Sequence, residues 1–268
     1  GRTQAVDIEM IVQLMDLTNT YKSVALRYGV TPTTVENVFD RYVSIKRKPL
    51  PKVLCVDEIY ARKLTRTKYC FIMFDPVDSK IVDIVDSRRK RALEEYFYSI
   101  PMEERRNVKY FVSDLNETYR GIHGKFFPDS VHAVDSFHVI KNMSDLFDRI
   151  RIRVMREREG IKDDGDSTYW IFKKFSRMLL KDPDRIPYRT YDFRKCGMTL
   201  DSTSIIDHML RFSDELKCAY RLKEEYRDFN ATSDSENTDD FEELMMRFLR
   251  SDSEEMRQFG GMLVRWET

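Results

Sequence analysis

The chain has 268 residues, enough to bury a sizeable core and to hold more than one domain. Hydrophobic residues make up 41% and charged residues 34%, a balance that excludes a disordered chain. Lys plus Arg equals Asp plus Glu at 46 each, so net charge gives no reason for nucleic-acid binding and any basic surface has to be local.

In chain order, residues 6 to 43 are predicted to form three short helices. Ile8, Ile11, Val12 and Met15 recur at helical spacing, and Leu17 ends the run. Tyr21 to Tyr28 is a second helix, Gly29 a turn residue that tolerates positive φ, Thr31 a cap and Pro32 a first-turn residue of the third helix. Val35, Val38 and Phe39 form the buried side of that helix, and small Ala25 lets two helices cross closely. The spacing is that of a helix-turn-helix, with an ordinary three-helix bundle as the plainer alternative. In a helix-turn-helix, Thr33, Thr34, Glu36 and Asn37 lie at the start of the recognition helix, within reach of base edges in the major groove. The stretch "SIKRKPLPK" then reads as a linker whose Lys46, Arg47 and Lys48 can track phosphates.

From residue 52 the pattern changes to strands: "KVLCVDE", "KYCFIMFDP" and "KIVDIVDSR", joined by short connections as in an antiparallel meander. A helix follows with Leu93, Tyr96 and Phe97 on one side, then the strand "NVKYFVSDLNE", a helix or loop "ETYRGIHGKFF", and a fifth strand "SVHAVDSFHVIK". The order is βββαβαβ. Residues 142 to 229 read as mainly helical, with Ser167 and Ser213 as caps. Phe241, Leu244, Met245, Phe248 and Leu249 form a core-facing stripe, as do Met256, Phe259, Leu263 and Trp266 in the last helix. That helix carries no stop signal, so the chain is expected to be truncated at Thr268, and an earlier start than Gly1 is also expected.

Two strands end on carboxylates. A βββαβ run closes compactly when the fourth strand lies parallel beside the first, which brings Asp57 and Asp114 to the same sheet edge. The plainer alternative is that a strand has to end somewhere and polar residues mark its exit. Two adjacent carboxylates repel unless one is protonated or a cation neutralises them. Mg²⁺, or Mn²⁺ in its place, suits such oxygen ligands, and ions held there can activate a water or a 3′ hydroxyl toward a phosphodiester. Glu58 either supports this site or is a solvated strand end. Asp135 and His138 either orient a metal-bound water, contact phosphate, or form a structural hydrogen-bonded pair.

Other residues carry weaker signals. Cys55, Cys70, Cys196 and Cys218 form no CxxC pair and read as reduced core thiols of a cytosolic protein, and no signal peptide is expected before the first helix. No apolar run approaches the ~18 residues of a membrane span, and the nine glycines form no phosphate-cradling loop. His123, His132 and His208 lack ligand spacing. The run Arg149, Arg151, Arg153, Arg156 and Arg158 is a solvated helix face or a phosphate-binding one. Trp170, Phe172 and Phe175 read as core.

"VLCVDEIYAR", "YFVSDLNETYRGI" and "AVDSFHVIKNM", in that order behind the helix-turn-helix, resemble the bacterial DDE transposases of the ISL-three insertion-sequence family. "D-x-F-H-V" after the fifth strand is the most specific of these motifs; "YWIFKKFSRMLLKD", "ELKCAYRLKEEYRDF" and "FGGMLVRWET" are similar to that family's helical region. The resemblance implies an α/β, RNase H-like core with a helical insertion, Asp57 and Asp114 as the first two acids of the triad, and Mg²⁺ or Mn²⁺ as cofactor. It implies a helix-turn-helix domain over 1–48, the first part of the core over 49–141 and the insertion over 142–268. The partners would be double-stranded DNA, at transposon ends and target, with a homo-oligomer as the active complex in the bacterial cytoplasm and nucleoid. The third acid of that family, a glutamate, follows the tryptophan-containing helix near an asparagine–glycine pair, and no such segment occurs here; Glu267 comes too early. The zinc-binding segment common ahead of the helix-turn-helix is also missing from this sequence. Two readings from other classes stand beside this one: a helix-turn-helix regulator with a sensing domain, and a transposase remnant that binds DNA without cutting it.

Overall fold

The computed structural model describes residues 3–61, 68–159, 168–193, 197–232 and 238–266; Ser167, Cys196 and Glu267 lie outside them. The chain divides into two compact units, Gly1–Pro49 and Leu50–Thr268.

The first unit holds α1 (Gln4–Leu14), α2 (Tyr21–Tyr28) and α3 (Pro32–Tyr42). Thr20 and Ser23 cap α2 reciprocally, and Gly29 ends it at φ 66°, a left-handed conformation that favours glycine. Thr31 accepts from the Thr34 backbone N–H at the start of α3, with Pro32 in the first turn. Met10, Val24, Ala25 and Val35 form the core. The α1 stripe is placed differently from its spacing: Met10 and Asp7 are buried, whereas Ile8, Val12 and Met15 are exposed. The α2 and α3 helices cover the Met10 side, and periodicity alone does not say which side a neighbour covers.

In the second unit, β1 (Val53–Tyr60), β2 (Tyr69–Asp75), β3 (Lys80–Val85), β4 (Tyr110–Ser113) and β5 (Val131–Val134) form a five-stranded mixed sheet of order β3-β2-β1-β4-β5. β1–β2 and β2–β3 are antiparallel, and β1–β4 and β4–β5 are parallel. Period-2 alternation sends Leu54, Val56, Phe71, Met73, Val82 and Phe111 to one face. There they meet Leu93 and Phe97 of α4 (Lys90–Tyr98) and Tyr119, Ile122 and Phe126 of α6 (Glu117–Phe126). Phe97 is fully buried and meets Phe71 and Phe127 edge-on, both at 85°. Each such ring contributes about 1.5–3 kcal/mol by burial. A short helix, α5 (Met102–Arg106), is an element the predicted order lacks, and Pro101 precedes it. Its Glu104 accepts at 2.7 Å from the N–H of Leu50, just ahead of the central strand β1.

The helical part begins with α7 (Ser136–Glu157), capped by Asp135, and continues through α8 (Thr168–Leu180), α9 (Ser202–Leu210), α10 (Asp214–Thr232), α11 (Thr238–Leu249) and α12 (Glu254–Trp266). Val139, Met143, Leu146, Phe147, Ile150 and Val154 recur down one side of α7 and are buried against the other helices. Ser213 caps α10 as predicted, accepting from the Leu216 N–H. The stripes of α11 and α12 are buried at Leu244, Met245, Phe248, Met256, Phe259 and Leu263. A two-stranded antiparallel sheet, β6 (Thr190–Phe193) with β7 (Met198–Asp201), interrupts the helices in the region predicted as mainly helical. Gly197, at φ 62°, precedes β7. Its signal is short: Tyr191 and Phe193 alternate with polar neighbours and pack on the helical core. Cys218 is exposed on α10 and is no core thiol; Cys70 is buried and Cys55 half-buried.

Candidate metal and DNA-processing site

The parallel ladder sets the site. Cys55 of β1 stands opposite Val112 of β4, so Asp57 and Asp114, each two residues on, leave the ladder side by side and on the same face. Asp57 does not end its strand: β1 runs on to Tyr60, still paired to β2. What stops beside Asp57 is the parallel partner, because β4 ends at Ser113. The charge therefore falls where β1 loses one neighbour. The β4–β5 register, Ser113 opposite Val134, places Asp135 beyond β5 as Asp114 lies beyond β4.

Asp57, Asp114, Asp135 and His138 line one cavity of about 460 Å³ with Cys55, Ile59, Ile72, Phe74, Val112 and Ser113. Asp135 has two structural tasks: one oxygen accepts from the Phe137 N–H at 3.0 Å as the α7 cap, and the other from His138 Nδ1 at 2.9 Å. Glu58 points elsewhere, since alternation sends it to the face opposite Asp57. Its carboxylate accepts from the Tyr119 hydroxyl at 2.8 Å and pairs with Arg88.

Asp114 is the electrostatically costly member. Its Oδ1 is buried without a hydrogen-bond partner among the described residues. Burial raises its pKa above the ordinary carboxylate range; His138 opposes the rise, and Glu58, Asp57 and Asp135 add to it. An orphaned, buried carboxylate oxygen beside a second carboxylate fits a hard divalent cation. Burial, then Asp135 and Asp75, hold the Cys55 thiol above its usual pKa. Among the described residues no group of three or more His, Cys, Asp or Glu is arranged to hold a metal ion, so Asp57 and Asp114 are a pair without a third ligand there.

Sequence reasoning missed Ser113 and the histidines behind it. Ser113 is buried, gives its hydroxyl proton to the Asp114 carbonyl at 2.9 Å, and so accepts from His132 Nε2 at 2.9 Å. His132 stacks on His123 with centroids 4.8 Å apart and meets Trp266 of α12 edge-on. His132 thus buttresses the Asp114 backbone through Ser113, and His123, behind it, contacts the Ser130 carbonyl and hydroxyl at 3.0 and 3.1 Å. His208 of α9 lies against Phe212, beyond the end of that helix.

The predicted DNA-contacting residues differ in exposure and in their partners. Thr33, Glu36 and Asn37 are exposed at the start of α3, while Thr34 shares a 2.8 Å hydroxyl contact with Thr31 in the cap. Lys46 and Lys48 are exposed, and Arg47 donates to the Lys48 carbonyl. On α7, Arg149 is exposed, but Arg151 is buried on Asp148, and Arg153 bonds both Glu215 and Glu255 at 2.9–3.1 Å.

A five-stranded mixed sheet with carboxylates at one edge of its parallel strands, followed by many helices, is compatible with the RNase H-like class of nucleic-acid-processing folds. The model of the ISL-three DDE family, described as transposase, matches residues 54–268, and the chain belongs to that family. A comparison with curated proteins finds no match. Transposases of the DDE type normally use a divalent metal and act on DNA. Among the described residues no helix is long and apolar enough to cross a membrane.

Proposed function

We propose that this chain binds the terminal inverted repeats of an insertion sequence and carries out metal-dependent DNA cleavage and strand transfer. The observation that carries the reading is the unpartnered Asp114 oxygen in a cavity shared with Asp57. Asp57 and Asp114 would hold Mg²⁺ or Mn²⁺, which when bound supplies activation of a water or 3′ hydroxyl and neutralises charge at the phosphodiester. The chain's own residues set the rest. Asp135 fixes His138 with its Nδ1 as donor, which leaves Nε2 to accept or hold a proton beside the reacting phosphate. The Ser113–His132 chain keeps the Asp114 backbone in place.

In this reading residues 1–48 are a helix-turn-helix domain. Thr33, Glu36 and Asn37 read bases, and Lys46, Arg47 and Lys48 follow phosphates. Residues 49–141 form the first part of the catalytic core, and 142–268 a helical insertion. The working complex is a homo-oligomer on DNA, in the nucleoid. A second reading, DNA binding without chemistry, is favoured by the lack of a third ligand beside Asp57 and Asp114 among the described residues.

Calorimetric titration with Mn²⁺, paired with nicking of DNA that carries the element's ends, separates the two. The first reading expects metal binding and nicking that Asp57→Ala and Asp114→Ala each abolish. DNA binding with no metal uptake would establish the second.

A further inference from the structure

The helix α8 carries a basic face that the paired carboxylates do not explain. From 168 to 181 the sequence "TYWIFKKFSRMLLK" holds Lys173, Lys174, Arg177 and Lys181 and no Asp or Glu, in a chain whose charges balance as a whole. At 100° per residue, Trp170, Lys173, Lys174, Arg177 and Lys181 fall within about a third of the helix circumference. All five are exposed, while Ile171, Phe172, Phe175 and Leu179 are buried on the other side. The cations therefore form one stripe, repeating roughly every turn of about 5.4 Å.

Elsewhere in the helical part many of the basic residues are neutralised. Arg153 bonds Glu215 and Glu255, Arg185 and Arg227 pair with Asp182, and Arg247 pairs with Glu225. Among the described residues none of Lys173, Lys174, Arg177 and Lys181 forms an ion pair. At the head of the stripe Trp170 is 57% exposed, against the expectation that it is core. The Lys173 ammonium lies 5.4 Å from its ring centroid and 5.7 Å from that of Tyr169. A row of cations that form no ion pair among the described residues, ending in an exposed aromatic ring, is complementary to a polyanion with π faces.

We infer that the Trp170–Lys181 face of α8 is a DNA-binding surface, with Lys173, Lys174, Arg177 and Lys181 on backbone phosphates and Trp170 stacked on an exposed base. The inference rests on the reading of this chain as acting on DNA, and within the helical part it assigns that contact to α8 rather than to the arginines of α7.

The test is the salt dependence of DNA binding by the full chain, followed by anisotropy of a labelled duplex with a single-stranded overhang. Each lost phosphate contact flattens the log–log salt slope by about 0.9. The variant K173A/K174A/R177A is expected to flatten it by about 2 to 3. A control of equal charge on nearby helices, R211A/K217A/R221A, is expected to leave it unchanged. DNA is expected to quench tryptophan emission in the wild type and much less in Trp170→Phe. An unchanged slope in the stripe variant, an equal change in the control, or full quenching in Trp170→Phe would overturn the inference. Mn²⁺ calorimetry on the same variants separates the two claims: metal uptake with an unaltered slope removes the stripe and leaves the metal site standing.

Discussion

Asp57 and Asp114 occupy equivalent places on two neighbouring parallel strands, each two residues beyond the Cys55–Val112 pair. One of them, Asp114, keeps a buried oxygen without a partner among the described residues. At neutral pH that arrangement is destabilising, because an acid with a raised folded-state pKa contributes stability at low pH and loses it as pH rises. Asp114→Asn is therefore expected to raise stability in chelator by about 1 kcal/mol, as removal of an uncompensated buried charge does. Saturating Mg²⁺ or Mn²⁺ is expected to stabilise the wild type, by about 2.7 kcal/mol at a hundredfold excess over Kd, and Asp114→Asn not at all. Thermal melts with and without metal check both. A metal-induced shift that persists in Asp114→Asn would remove that carboxylate from the site.

The histidine behind the site gives a pH dependence. Burial, with smaller contributions from the neighbouring His123 and Arg120, lowers the His132 pKa from 6.5 to about 4. The folded state therefore favours the neutral ring. The stability it contributes is fully present above pH 6.5 and is lost as pH falls from there toward 4. Protonation also places a positive charge behind Asp114, linked through Ser113 to its carbonyl, so metal affinity is expected to fall in the same window. Denaturant titrations at pH 7 and pH 5 measure the effect. His132→Gln, which cannot titrate, is expected to flatten the difference.

The sheet was legible in advance because strand alternation, short connections and the crossover rule leave few ways to place the fourth strand. The Asp57–Asp114 juxtaposition followed from that placement. Other features depended on tertiary partners. Alternation shows that Asp57 and Glu58 face opposite ways, but not that Tyr119 and Arg88 await Glu58. The α7 arginines read as one basic run, yet Glu215 and Glu255 come from elements more than 60 residues away. Trp170 sits among core aromatics in sequence, and only the packing of α8 shows it turned outward. The β6–β7 hairpin was hidden by its shortness.

Arg153 is a clamp. Its guanidinium joins α7 to Glu215 at the start of α10 and to Glu255 at the start of α12. The geometry is multidentate but partly exposed, so Arg153→Ala is expected to destabilise by about 1 kcal/mol. Arg149→Ala, on the exposed side of the same helix, is expected to change stability by less than about 0.5 kcal/mol. If Arg153 serves the fold, its loss leaves the salt slope of DNA binding intact. A flatter slope at unchanged stability would return Arg153 to the DNA-contacting set.

The pair Gly260–Gly261 on α12 divides by what surrounds each α-carbon. A Cβ on Gly260 would lie 3.0 Å from the Leu249 backbone nitrogen and 3.0 Å from Phe248 Cβ, at the end of α11. Helix backbone does not yield easily, so overpacking of about 1–3 kcal/mol outweighs the helix-propensity gain of up to about 1 kcal/mol. A Cβ on Gly261 meets nothing within 4 Å. Gly260→Ala is therefore expected to destabilise by about 1 kcal/mol or more, and Gly261→Ala to stabilise by about 0.5–1 kcal/mol. Melting temperatures should move in opposite directions, by roughly 2–4 °C per kcal/mol for a domain of this size. Because α12 carries Trp266 onto His132, the Gly260 variant is also expected to weaken metal binding at the sheet edge. Two alanine variants with the same shift would mean that the α11–α12 crossing is looser than the 3.0 Å approach requires.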